Sequence, residues 1–138
     1  MLKDRAIQNH IVGRAGEFLT AYHLELLGVS PRIVGGEDFD IVAIQGNRLF
    51  RIQVKTRDKT EKIRNTYSFL LQKNNKHLSK NNADIFALVC LPVEKILFYT
   101  PEIIQKARTL RLQPEDFFKM TIEESWKNCL GRILNGLE

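Results

Sequence analysis

The sequence predicts an α/β (α+β) chain with a mixed central β-sheet flanked by helices, on three observations. An amphipathic helical repeat opens the chain, strand-like runs fill its middle, and a capped amphipathic helix closes it. At 138 residues the chain has the size of one domain, spanning 1–138. No repeat, low-complexity tract or linker rich in Gly, Pro or Ser divides it.

Ile7, Ile11, Ala15, Phe18, Tyr22 and Leu26 recur at helical spacing, predicting an amphipathic helix over residues 5 to 27 with Gly28 as its stop. Gly13 and Gly16 lie inside it, each about 1 kcal/mol less favourable than Ala. A close approach by another backbone is the expected compensation. After the Gly35-Gly36 turn, two strands are expected, from Asp38 to Ile44 and from Arg48 to Thr56. The Gly46-Asn47 pair between them is a two-residue hairpin signal, because glycine supplies the positive φ of a type II′ turn.

The polar stretch from Arg57 to Asn65 reads as a loop, and Thr66 to Leu71 as a short strand. Gln72 to Asn82 is Lys/Asn-rich, either a loop or a short surface helix. Asp84 to Leu91 is an apolar strand, with Lys95 to Thr100 as its hairpin partner across Pro92. Thr100 then caps a helix with Pro101 in its first position. The last helix opens on a capping box of Thr121 and Glu124. Its apolar face holds Trp126, Cys129, Leu130, Ile133 and Leu134, and Asn135-Gly136 ends it.

Charge narrows the partner. The formal net charge is +5, and from Arg51 to Lys80 nine basic residues face only Asp58 and Glu61. Lys and Arg release counterions from phosphates, so such a stretch points to a polyanion, although a solvated surface has the same composition. Arg57, Lys59, Lys62, Arg64, Lys73, Lys76 and Lys80 are the candidate phosphate contacts.

Other chemistries lack their residues. Cys90 and Cys129 lie in apolar surroundings and form no Cys-x-x-Cys pair, which argues against structural zinc and a redox dithiol. His10, His23 and His77 are widely spaced, and neither a P-loop nor a G-x-S-x-G elbow occurs. No apolar run approaches the roughly 20 residues of a membrane span. The first ten residues carry no apolar secretory core, so a cytoplasmic location is expected. Tyr67, Phe69, Phe117, Phe118 and Trp126 are expected in the core.

The hairpin has a geometric consequence. With Gly46 and Asn47 as turn residues, Gln45 pairs with Arg48 and Val42 with Arg51. Asp40 then lies opposite Gln53, and Asp38 opposite Lys55. Opposed residues share a sheet face with Cβ atoms ~5 Å apart, so Asp40, Gln53 and Lys55 converge while Phe50, Ile52 and Val54 point into the core. A one-residue slip would destroy this.

Such a cluster suits phosphodiester hydrolysis. A hard cation takes oxygen ligands and keeps several waters. Asp40 offers a carboxylate, Gln53 an amide oxygen and Val54 its backbone carbonyl. The metal would activate water and stabilise charge on the phosphate. Lys55 would orient the attacking water or stabilise the transition state. A half-buried strand with a wet face explains the polarity of Gln53 and Lys55, but not an Asp across the hairpin or an amide where a strand prefers β-branched residues; Asp38 is a rival to Asp40, more simply read as the partner of Lys55.

The run DFDIVAIQGNRLFRIQVKT resembles the core of the PD-(D/E)XK nuclease superfamily: an Asp opening one strand, then (D/E/Q)-x-K ending the next. Its IQVKT ending is similar to that of intron-encoded homing endonucleases carrying this core, and its spacing resembles that of archaeal Holliday-junction resolvases. Both groups place a Glu on the preceding helix, where Glu17 stands in GRAGEFLTAYHLELLG. A surface pair with Arg14 is the simpler account of Glu17 alone.

The resemblance spans roughly residues 10 to 100, leaving the C-terminal third unmatched. It implies a restriction-endonuclease-like fold and a DNA endonuclease, homing or restriction-like and site-specific. Glu17, Asp40, Gln53 and Lys55 would be catalytic. Mg²⁺ or Mn²⁺ would sit on Glu17, Asp40, Gln53 and Val54. The substrate would be double-stranded or branched DNA, with a branch-cutting resolvase as the second reading. Two departures, Gln53 for the usual acid and Phe39 for the usual Pro, leave open a DNA-binding protein that kept the fold without the chemistry. One site cuts one strand, so a homodimer or homotetramer is expected, with the C-terminal helix and Trp126 as a candidate interface.

Overall fold

The computed structural model describes residues 2–36, 38–73, 76–104 and 108–136. Its first element is the expected helix, α1 (Leu2–Leu26), ended by Gly28 at φ 80°. Four strands follow, β1 (Ser30–Ile33), β2 (Ile41–Gln45), β3 (Arg48–Arg57) and β4 (Tyr67–Leu70). Then come β5 (Gln72–Lys73), β6 (Lys76–His77), β7 (Ile85–Cys90) and β8 (Lys95–Tyr99). The chain continues with α2 (Pro101–Ile104), β9 (Thr109–Leu112), a 3₁₀ turn (Pro114–Phe118) and α3 (Ile122–Gly136).

The central sheet has five strands in the order β1-β2-β3-β7-β8. All pairings are antiparallel except β3 with β7, so the sheet is mixed, as the sequence predicts. The hairpin register also matches the one derived from the turn: Gln45 pairs with Arg48 and Val42 with Arg51. Gly46 takes φ 62°, which the turn needs and an L-residue resists.

Strand period sorts the side chains onto two faces. Phe50 and Ile52 of β3, Ile85, Ala87 and Val89 of β7, and Ile96 and Phe98 of β8 bury against Leu24 of α1 and Trp126 and Cys129 of α3. The Trp126 ring meets Phe98 and Phe50 edge-on, at 5.0 and 6.0 Å between centroids. Trp126 is therefore core, and the expectation that it forms an interface between copies is corrected. α3 begins with the predicted capping box, Thr121 and Glu124 exchanging hydrogen bonds of 3.0 Å each.

The opposite face carries Phe86, Leu88, Cys90 and Leu97, covered by a smaller layer in which β4 pairs with β9. Tyr67, Phe69 and Phe117 pack there, whereas Phe118 is exposed, contrary to expectation. Gln72–Lys73 and Lys76–His77 pair as two short strands, in the stretch the sequence leaves as a loop or a short surface helix. No helix among the described residues is long and apolar enough to cross a membrane.

The face that α1 buries is not the stripe that makes it legible in the sequence. Val12, Gly16, Thr20 and Leu24 face the sheet, while Ile7, Ile11, Phe18, Tyr22 and Leu26 are exposed. Gly16 and Thr20 keep the middle of the buried face small, where the helix lies close to β3. A Cβ on Gly16 would overlap the Thr56 side chain, coming within 2.8 Å of its Cβ. The expected compensation thus exists at Gly16; at Gly13 nothing lies within 4 Å.

Gly16→Ala is therefore expected to destabilise the protein despite the gain of about 1 kcal/mol in helix propensity. Overpacking of this kind costs typically about 1–3 kcal/mol. Urea denaturation should show the loss, and a double-mutant cycle with Thr56→Ala should show coupling. A neutral Gly16→Ala would mean that the helix does not press on β3.

Candidate active site

β3 is longer than its partner, and the site lies where the partner begins. The β2–β3 ladder starts at Ile41 opposite Ile52, so residues 53–57 of β3 have β7 on one side and no β2 residue on the other. Asp40 finishes the ladder with its side chain. Its N–H donates to the Ile52 carbonyl at 2.8 Å, and its Oδ2 accepts the Val54 N–H, also at 2.8 Å. The carboxylate thus replaces the strand carbonyl that Val54 would otherwise lack. This holds Asp40 across from Gln53, as the register requires.

Gln53 is buried, at 8% exposure, on the face that carries Arg51 and Lys55. Its Oε1 lies buried with no hydrogen-bond donor among the described residues. An orphaned amide oxygen costs about 1–3 kcal/mol, a cost that a cation or a water hydrogen at this position would relieve. Lys55 follows two residues on, half-buried and on the same face.

Glu17 comes from α1, one residue past the Gly16–Thr56 contact that sets the helix height. It is half-buried, and its carboxyl titrates above the ordinary range, first because of burial and then because of the Asp40 charge. Arg14 and His10 oppose this shift. Both Arg14 and Asp40 thus act on Glu17, and its role as a surface partner of Arg14 is incomplete as a description.

These residues fit a hard cation. Two carboxylates, a buried amide oxygen and a backbone carbonyl are oxygen donors of the kind that such ions accept while keeping waters. No group of three or more His, Cys, Asp or Glu placed to hold a metal occurs among the described residues, so any cation here rests on this mixed set. A small cavity against α3, lined by Leu97, Tyr99, Met120 and Arg132, contains none of these residues.

A second aspartate repeats the Asp40 device. Asp84 precedes β7 as Asp40 precedes β2, and it accepts the Arg51 N–H at 2.8 Å. Here the Arg51 guanidinium closes on the carboxylate at 3.1 Å and on the Lys80 carbonyl at 2.8 Å. Arg51 is therefore structural, although the sequence counts it with the basic stretch. Asp38 is exposed and accepts from Asn82 Nδ2 at 3.2 Å.

The other basic candidates lie on the surface. Arg57, Lys59, Lys62, Arg64, Lys76 and Lys80 are exposed; the Lys73 side chain is outside the described residues. Lys62 and Arg64 flank Ile63, itself 97% exposed, at the tip of a turn tied by the Glu61 N–H to Thr66 O and by the Asn65 N–H to Glu61 O. The Ser68 hydroxyl donates to the Glu61 carboxylate and Arg111 pairs with it, both lowering its pKa. The exposed Ile63 has no periodic signal in the sequence.

No protein-family model matches the chain. No curated protein matches it. Among solved structures it is similar to a bacterial homing endonuclease, I-Ssp6803I, at 15% identity with a TM-score of 0.68, covering 94% of this chain and 97% of that one. The shared fold therefore runs through almost the whole of both chains, including the C-terminal third that the sequence motifs leave unmatched.

The Glu17 environment sets a pH response. Burial and Asp40 both raise its pKa, so as pH falls Glu17 takes up its proton earlier than an ordinary glutamate, and the site loses a negative charge. An NMR titration of the Glu17 carboxyl should place its midpoint above 4.5, and Asp40→Asn should lower it. A midpoint indifferent to Asp40→Asn would separate the two residues.

Proposed function

We propose that the chain is a metal-dependent DNA endonuclease that hydrolyses phosphodiester bonds in the manner of a homing or restriction-like enzyme. The observation that carries this reading is the buried Gln53 Oε1, unpartnered among the described residues, on the strand that Asp40 caps. The fold shared with a homing endonuclease supports it, and so does the exposed basic surface.

In this reading Glu17, Asp40, Gln53 and the Val54 carbonyl hold Mg²⁺ or Mn²⁺. The cation supplies Lewis acidity, which lowers the pKa of water and offsets phosphate charge. Lys55 presents its ammonium group to the scissile phosphate, where it orients the attacking water and stabilises developing negative charge. Arg57, Lys59, Lys62, Arg64, Lys76 and Lys80 contact phosphates of the substrate, positioning the duplex without reading its sequence. The products carry 5′-phosphate and 3′-hydroxyl ends. Glu17 supplies the second carboxylate that the neutral Gln53 does not.

Lys55→Ala tests the proposal. Incubated with plasmid and with branched DNA in Mg²⁺, the wild type should cut, and the variant should be slower by a factor on the order of 10² or more. DNA binding by the variant should survive. Wild-type binding without cutting in Mg²⁺ or Mn²⁺ would favour a DNA-binding protein that keeps the fold, and preferential cutting of branched DNA would favour a resolvase.

A further inference from the structure

The outer face of α1 is more apolar than a solvent-facing helix requires. Ile7, Ile11, Phe18, Tyr22 and Leu26 are 53–65% exposed, although Val12, Gly16, Thr20 and Leu24 already seat the helix on the sheet. Single exposed apolar residues need no explanation, but five aligned on one helix face form a continuous stripe. It runs roughly 28 Å along the helix at 1.5 Å per residue.

The stripe has an internal symmetry. Ile7-Ile11-Ala15 and Phe18-Tyr22-Leu26 are two ridges, each with residues four apart. About the midpoint between Gly16 and Glu17, Ile7 mirrors Leu26, Ile11 mirrors Tyr22, and Ala15 mirrors Phe18. A stripe of this kind is complementary to itself when a second helix runs the opposite way. Residues 11, 15, 18 and 22 alternate spacings of four and three, the pattern of helices that cross at about 20° with axes ~8–10 Å apart, which keeps the length of the stripe in contact. The small Ala15 then receives the large Phe18 of the other copy.

We propose that α1 pairs antiparallel with α1 of a second copy of this chain, about a two-fold axis passing between Gly16 and Glu17. The pairing follows from the helix alone. One consequence rests on the nuclease reading: Glu17 lies about 100° around the helix from Phe18, at the side of the contact. A two-fold axis perpendicular to both helices leaves that side facing the same way in both copies. The two Glu17 carboxylates would then lie on the same side of the pair. An isologous contact of this type closes on itself and stops at two copies.

The register makes the test specific. In an antiparallel pair, residue 11 of one copy faces residue 22 of the other. Ile11→Glu and Tyr22→Lys both fall on exposed positions and should each turn a sedimenting dimer into a monomer. Mixed together, they should recover a heterodimer, because Glu now faces Lys at one end while Tyr22 and Ile11 meet at the other. As a second reading, Ala15→Cys should be joined to its own copy by a short bismaleimide, since the native Cys90 and Cys129 are buried. A wild type that sediments as a monomer throughout the micromolar range overturns the proposal. So do dimers that survive both single changes, a mixture that stays monomeric, or Ala15→Cys chains that fail to cross-link. None of these measurements involves cleavage, so their failure leaves the nuclease reading standing.

Discussion

The hydrogen bond from the Val54 N–H to the Asp40 carboxylate is the interaction on which the candidate site depends. A charge-assisted bond of this kind contributes roughly 1.5–3 kcal/mol, but its larger effect is positional. β2 starts one residue later, so Asp40 performs the task of a strand carbonyl and is held at the point where the ladder ends. Beyond Ile52, β3 has no β2 residue on that side. Gln53 and Lys55 emerge there on the same face, and a register slip by one residue would send both into the opposite layer.

Around that bond the site is built against its own stability. Asp40 and Glu17 are both acids, and their mutual repulsion together with burial keeps the Glu17 proton on to higher pH. The amide oxygen of Gln53 has been withdrawn from water without a donor among the described residues. Asp84 shows what a purely structural version looks like: the same position before a strand, the same acceptance of a β3 amide, and an Arg51 guanidinium closing the charge. The two aspartates begin alike in the sequence and differ only in what surrounds them. Functional sites are where such local inconsistencies concentrate.

Much of the fold was legible because particular residues force particular geometry. Gly46-Asn47 dictates the hairpin, and from it the whole β2–β3 register and the facing of Asp40 and Gln53 follow. Thr121 and Glu124 mark the start of α3, and the Ile85–Cys90 run marks a buried strand. β1 was hidden by Pro31, which lacks a ladder N–H and is tolerated because β1 lies at the edge of the sheet. β9 was hidden because its partner β4 lies some forty residues away, so no turn announces it. The orientation of α1 is not legible for a different reason. Periodicity reports an apolar face without saying which face is buried, and here Gly16 and Thr20 make the buried side the less apolar one. The position of Glu17 beside Asp40 follows from that same close approach, which composition does not reveal.

The central claim is that Asp40 and Gln53 face one cation between them. Mn²⁺ added to uniformly ¹⁵N-labelled protein tests it directly, because a paramagnetic ion broadens nearby amide signals before distant ones. The account predicts that the Gln53 side-chain amide and the Val54 backbone amide are lost first, and that Asp40→Asn abolishes the effect. Broadening that begins elsewhere, for instance at Glu123 and Glu124 of α3, while Gln53 stays sharp would contradict it.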